Sequence, residues 1–339
     1  MRKFGLILGL IFLSLVIVLS GCGTQTGNTQ GDAQKAADTG KKVVKVGVSQ
    51  FVAHPALDLD QKGFLDQMKE LGFIQGQNVE FDIKNSQGDP NMAKTIADKF
   101  VADKVDVILS ITTPSSQAAA MATKGTGIPV VYIAVSDAVG SGLIKELNKP
   151  SGTNITGVYS ADPVEQQMDL IKEIQPSLKN LGVLYNPGEA NSASNVKRIK
   201  EYLKGKVNVV EATVASSNEV QGAAQSLVGR VDAMFMPQDN TVMSAVESVI
   251  DVGQKNKIPF YTGDTESVKK GALATLGNDE YDCGRQGAEI VAKILRGEKA
   301  GNIPSEEIRK RTLLINKNAA VKYGLTIPEQ VLSRADQVL

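Results

Sequence analysis

From Val43 onward the chain runs one plan twice, and that duplication limits the fold more than any other feature. Short β-branched runs alternate with stretches of helical periodicity. "VVKVGVSQ" reads as a strand, and residues 56–71 place Phe64, Leu65, Met68 and Leu71 on one helical face. "NVEFDIKN" is the next strand. Asp89-Pro90 then supplies an N-cap followed by proline at the first helical position, opening a helix through Val101. "VDVILSITT", "IPVVYIAVSD" and "NITGVYS" are further strands, with a helix starting at Thr113-Pro114. Such alternation predicts a parallel sheet covered on both faces. In the second half "LGVLYNPGEANS" stands where "VGVSQFVAHPAL" stood. "RVDAMFMPQDNTVMSA" parallels "KVDVILSITTPSSQAA", and "NKIPFYTGDTES" parallels "GTGIPVVYIAVSD". Three matches in the same order predict two similar doubly wound α/β lobes. Asp162-Pro163 with Glu165 reads as a capped helix start after a strand that crosses between lobes. Two such lobes leave a cleft between their strand ends, the edge at which open α/β sheets bind ligands.

The residues just beyond each predicted strand indicate what that cleft could hold. In the first half they are Ser49, Gln50, Phe51 and His54, then Thr112, Thr113, Ser115 and Ser116, then Ser136 and Asp137. In the second they are Asn186, Glu189, Asn191 and Ser192, then Gln238, Asp239 and Asn240, then Thr262, Gly263 and Asp264. Hydroxyls, amides and a few carboxylates dominate, with Tyr159, Tyr185 and Tyr261 close by. That inventory suits a small polar or zwitterionic ligand with some ring stacking, in which Phe51 would share. "SITTPSSQ" gathers hydroxyls and free backbone N–H groups at one helix start, a site for a carboxylate. At least one of Thr112, Thr113 and Ser115 is expected to cap that helix. An ammonium group would be met by Asp239, Glu189 or Asp264, each of which also reads as a loop acid or cap.

The totals remove several classes of function. His54 is the single histidine, and no Ser-x-Gly elbow or close acidic pair accompanies it, so neither a metal site nor a catalytic triad is expected. "GSGLI" at 140–144 lacks the dinucleotide fingerprint spacing, and no cofactor is called for. Lys and Arg total 37, as do Asp and Glu. Residues 1–21 hold Arg2 and Lys3 and no acid, so their removal leaves a slightly acidic chain without a basic stretch for nucleic acid. Only two cysteines occur, which excludes a disulfide framework and a thiolate metal cage. Cys283, before Gly284 at a helix start, reads as a buried small side chain.

The other cysteine, Cys22, ends a different pattern. Arg2 and Lys3 precede an apolar run from Phe4 to Leu19, and Ser20-Gly21 stand directly before Cys22. The run falls short of the ~20 residues a spanning helix needs. It resembles the bacterial lipoprotein signal, with Leu19, Ser20, Gly21 and Cys22 matching the lipobox at every position. That resemblance implies cleavage of residues 1–21, a lipid on Cys22 and an extracytoplasmic, membrane-anchored protein. Residues 22–41 lack a periodic apolar face, as expected of a flexible tether.

A second resemblance covers Val43 to about Leu325. "SQFVAHPALD", "ITTPSSQAA", "VSDAVGSGL", "NITGV", "YNPGEANS", "MPQDNTV" and "GALATLGNDEYDCGRQGAEIVAKILRG" are similar to the ABC-transporter substrate-binding lipoproteins of the tryptophan/tyrosine uptake type. The family implies a type I periplasmic-binding-protein fold, a Venus flytrap of two parallel-sheet lobes joined by three crossing strands. Lobe one is expected over 42–157 plus 280–310, and lobe two over 158–279 plus 311–339. An aromatic amino acid is the implied ligand and an ABC permease the implied partner, for a monomeric binding protein and not an enzyme. Carried over by position, Gln50, His54, Thr112, Thr113 and Ser115 would face the cleft from lobe one. Asn186, Glu189, Asn191, Ser192, Asp239, Asn240 and Asp264 would face it from lobe two. Family members often read Asp-Pro where this chain has Asp137-Ala138, which weakens Asp137 as a ligand contact. The residues alone leave open a receptor for sugars or nucleosides, a signalling receptor, or an extracytoplasmic enzyme.

Overall fold

The computed structural model describes residues 43–339. The signal, Cys22 and the tether lie outside the described residues. The first half runs β1 (Val44–Gln50), α1 (Pro55–Glu70), β2 (Val79–Asn85), α2 (Pro90–Ala102), β3 (Val107–Ile111), α3 (Thr113–Ala122), β4 (Val130–Val135) and β5 (Ile155–Tyr159). The second half opens with α4 (Val164–Ile174), β6 (Asn180–Tyr185), α5 (Ala190–Leu203), β7 (Asn208–Thr213), α6 (Val220–Ser226) and β8 (Ala233–Met236). It continues with α7 (Asn240–Met243), α8 (Val246–Asn256), β9 (Phe260–Thr262), α9 (Thr265–Lys270) and β10 (Ala274–Asn278). After α10 (Glu280–Leu295) come β11 (Glu306–Glu307), β12 (Arg311–Ile315), α11 (Lys317–Tyr323), α12 (Glu329–Leu332) and β13 (Gln337–Val338). Among the described residues no helix is long and apolar enough to cross a membrane.

The duplication read from the sequence is present in the strand order. One sheet runs β11-β5-β4-β3-β1-β2 and the other β7-β6-β8-β9, both parallel throughout. In each, the first strand of the lobe lies between the second and the third, so the order reverses beside β1 and beside β6. Strands β3 and β8 are buried along their whole length, as helices on both faces require. Among the described strands only β10 and β12 pair antiparallel, carrying the chain outward and back between the lobes, and a single antiparallel bridge joins Pro150 to Pro304.

Three passages join the lobes: 160–163, 279 and 308–310. They are laced together. Asn278 Nδ2 donates to the Ser160 carbonyl (3.1 Å), Arg311 Nη2 to that of Ala161 (3.0 Å), and the Asp279 N–H to that of Lys310 (3.0 Å). After the second passage, α10 lies against α1 of lobe one at a distance only glycine permits. A Cβ on Gly284 would stand 1.9 Å from the Asp60 carbonyl oxygen, and one on Gly63 2.0 Å from that of Tyr281. Cys283 is buried in this seam, as expected of a small apolar side chain.

The expected cap at Asp162-Pro163 is not made. Pro163 occupies the N-cap of α4 without a side-chain bond. Asp162 instead turns inward, where Asn195 of α5 and Ser136 after β4 both donate to Oδ2. Its carboxylate thus ties the first passage to both lobes.

Candidate ligand-binding site

Helices α1 and α3 start at the carboxyl edge of neighbouring strands, because β1 and β3 pair side by side. His54 caps α1 in an extended conformation, its Nδ1 accepting from the Leu57 N–H at 3.5 Å. That acceptor role places the ring proton on Nε2. Burial lowers its pKa to about 4, so the imidazole is neutral at physiological pH. Nε2 faces Asn240 across the lobe interface without completing a hydrogen bond. Gln50 folds back over the same turn, donating to the Val52 carbonyl and to Asp58 Oδ1, each at 2.9 Å.

The start of α3 departs from the expected capping. Thr112 holds the N-cap position with φ 82° and ψ 164°, a region that is essentially glycine's, and its side chain caps nothing. Neither Thr112 Oγ1 nor Thr113 Oγ1 has a hydrogen-bond partner in the protein, although both residues are buried. Ser115 Oγ accepts from Ser49 at 3.4 Å, while Ser116 donates to the Thr112 carbonyl at 2.6 Å. A strained β-branched residue costs ~1–3 kcal/mol, and each buried unpartnered hydroxyl ~1–3 kcal/mol more. Expenditure of this kind gathers where a protein makes a ligand site. Two free hydroxyls at the positive end of a helix favour an anionic group.

In lobe two the predicted residues form one connected network. Glu189 Oε1 accepts from the Thr241 N–H (3.0 Å) and hydroxyl (2.8 Å), and Oε2 from the Asn240 N–H (3.2 Å) and Nδ2 (2.5 Å). Asp239 caps α7 through Oδ1, and its Oδ2 accepts from the Asn186 N–H and the Ser192 hydroxyl, each at 2.6 Å. Burial and the neighbouring Glu189 carboxylate hold Asp239 up at about 8. Asn186 Nδ2 donates to Thr241 (2.9 Å), and Asn191 Nδ2 to the Gln238 carbonyl (2.7 Å), leaving Asn191 Oδ1 unpartnered. The Glu189 and Asp239 carboxylates are therefore engaged in joining the β6 and β8 loops, which leaves little capacity for an ammonium group. Asp264 differs. It caps α9 through Oδ1, and its buried Oδ2 has no partner.

The tyrosines do not line the cleft. Tyr159 packs in the core with Ile96, Phe100 and Leu143, and its hydroxyl donates to Asn148 at 3.0 Å. Tyr185 donates to Glu211 and Tyr261 to Gln175, both within lobe two. The reason is that these strands are buried on both faces, so a residue near a strand end is as readily core as cleft. Phe51 does reach the seam. With Val52 and Gly88 it faces Ala215, Ser217, Asn240 and Thr241 of lobe two across a cavity of about 130 Å³. A larger depression of about 640 Å³ lies at the opposite, amino edge of the first sheet beside Val44, Pro129 and Asn154, and includes none of the predicted residues.

Three further carboxylates were missed as site candidates. Glu280 opens α10 at the second passage, and Gln238 Nε2 donates to its Oε1 at 3.1 Å. Burial raises Glu280 to about 8 and Asp162 to about 7, and raises Asp60 as well. Each is at least nine-tenths buried and retains an unpartnered oxygen. The sequence marks only a helix start at Cys283-Gly284, and in the structure Asp279 caps that helix. Asp137, doubted as a ligand contact, joins the lobes directly by accepting from Ser194 of α5 at 2.8 Å.

The protein family described as ABC transporter substrate binding protein matches residues 45–339. A tyrosine-binding protein of Clostridioides difficile strain R20291 is 37% identical over 321 residues, 94% of this chain and 92% of that protein. The structure of an ABC domain in complex with L-Trp from Streptococcus pneumonia has 37% identity and a TM-score of 0.83, covering 87% of this chain and 99% of the other. A ligand-free, open substrate-binding protein with adhesive properties from Clostridium difficile is also 37% identical, covering 88% and 99%, yet its TM-score is 0.65. At equal identity the chain superposes better on the L-Trp complex than on the open structure. Strand order, lobe count and these matches agree, and the chain belongs to the ABC transporter substrate-binding protein family.

Proposed function

We propose that the protein captures an aromatic amino acid between its lobes and delivers it to an ABC permease, from a lipid anchor at Cys22 outside the cytosol. The relatives that bind tyrosine and L-Trp, each 37% identical, carry this reading. The carboxylate would lie at the start of α3 against the free hydroxyls of Thr112 and Thr113, with the His54 Nε2–H as a third donor. Phe51 would flank the ring. Gln50, Ser115, Asn186, Glu189, Asn191, Ser192, Asp239 and Asn240 would shape the walls, largely through the hydrogen bonds they make to one another.

Closure works as a population shift. A ligand touching both lobes favours the closed state by its extra contacts there. Calorimetry of the full-length protein against the twenty amino acids tests the assignment, with heat expected from tyrosine, tryptophan or phenylalanine. No heat from any of the three would end it. Cys22→Ser is expected to release the protein from the membrane fraction.

A further inference from the structure

We propose that the ligand's ammonium group is received on the hinge side of the cleft by Glu280 and Asp264, and not by Asp239 or Glu189. This rests on the amino-acid reading above and deepens it. Both carboxylates share a pattern: one oxygen is held by the protein and the other is left without a partner. Asp264 Oδ1 accepts from the Ser267 N–H at 2.7 Å and Glu280 Oε1 from Gln238 at 3.1 Å, while Oδ2 and Oε2 are buried and unpartnered. One amide links the two sites, since Gln238 Nε2 also donates to the carbonyl of Gly263, next to Asp264, at 3.3 Å.

A third acceptor of different chemistry lies beside them. The hydroxyl of Thr275 is buried without a partner. A Cβ on Gly277 would stand 3.2 Å from the Gly263 carbonyl oxygen, 3.3 Å from the Thr275 hydroxyl and 3.4 Å from the Asp264 Cα, so glycine lets this strand lie close against the Asp264 turn and brings the hydroxyl beside it. Three unpartnered acceptors match the three N–H donors of an ammonium group. Asp239 and Glu189 offer no such set, because their own loops occupy their oxygens.

The charge balance points the same way. Among the described residues no lysine or arginine forms an ion pair with Glu280 or Asp264. The charged groups acting on Glu280 are Asp264, Asp162 and Asp279, with Asp60 facing it from α1 close enough to share a proton and the Cys283 thiol within 4.8 Å of both; those acting on Asp264 are Glu280 and Glu266. A ligand cation would relieve this repulsion. It would also replace a proton on Glu280, which passes to the buffer, so binding should strengthen as pH rises from 6 to 8.

The test is calorimetry of the full-length protein with L-tyrosine and L-tryptophan, and with their des-amino analogues 3-(4-hydroxyphenyl)propionate and indole-3-propionate. E280Q and D264N are each expected to weaken the amino acids roughly 10- to 100-fold while changing the des-amino acids less than about threefold. Amino-acid binding within about threefold of wild type in both variants, or equal losses for both ligand classes, would overturn the assignment while the aromatic amino-acid reading stands. Failure of the wild-type protein to bind either amino acid would remove both. Should the variants not fold, wild-type pH dependence decides. Affinity for L-tyrosine rising from pH 6 to 8 with a flat des-amino profile supports the site, and two flat profiles refute it.

Discussion

Replacing Thr113 by valine separates the carboxylate site from an ordinary helix start. The side chains are nearly the same shape, and only a hydroxyl is exchanged for a methyl group. Thr113 is 1% exposed and its Oγ1 has no partner in the protein. Burying such a hydroxyl costs ~1–3 kcal/mol, and the cost arises on closure, when water leaves the cleft. A hydrogen bond to a ligand carboxylate is instead worth ~1.5–3 kcal/mol. The substitution should therefore move two observables in opposite directions. Without ligand, T113V should favour the closed state by roughly tenfold, since ~1.4 kcal/mol is one decade in an equilibrium constant. Small-angle scattering would show this as a smaller radius of gyration. With an aromatic amino acid, calorimetry should show roughly 10- to 100-fold weaker binding. Binding within threefold of wild type, or a more open ligand-free form, would refute the reasoning.

Three other outcomes are expected. The buried Asp162 carboxyl stands at about 7 against an ordinary 3.8, so the native state holds its proton; that stabilisation is full below about pH 4 and is lost as pH rises through 7. Urea midpoints should fall between pH 5 and 8 in wild type and fall less in D162N, the difference in stability lost over that window being ~3 kcal/mol; parallel profiles would contradict this. Gly284→Ala must lift α10 from α1, given a Cβ 1.9 Å from the Asp60 carbonyl, and should cost ~1–3 kcal/mol; an unchanged melting temperature would refute it. Ser194→Ala removes a lobe-to-lobe bond of 2.8 Å to Asp137, worth ~1 kcal/mol, and should weaken ligand binding roughly fivefold; equal affinity would show that closure does not draw on it.

The repeated strand–helix plan was legible because the buried strands carry β-branched runs and several helices open on a proline or a capping side chain. Asp89 does cap α2, and "ITTP" does open α3. What side chains do at those starts was not legible. Cap preferences say that a hydroxyl suits a helix start, not whether it bonds its own helix or stays free, and Thr112 stays free at φ 82°. Tyr159 misled because a strand buried on both faces loses the period-two signal that separates core from cleft. Glu280 escaped notice because its site exists only once the second passage brings α10 beneath the Gln238 loop. Asp239 and Glu189 read as partners for a ligand ammonium group, and their binding of the β6 and β8 loops is a three-dimensional fact no strand-end pattern carries.

The bedding of α10 against α1 also bears on how the chain must be made. The hydrophobic seam of the first lobe is completed by Cys283, Ile290 and Val291, residues that leave the ribosome and any export channel after the second lobe's own sheet. A polypeptide emerging amino end first therefore carries an unfinished first lobe for most of its passage. That delay keeps it threadable during secretion and exposes it to sticking until the late helix docks. A truncation ahead of residue 280 should yield an aggregating product, not a stable half-receptor.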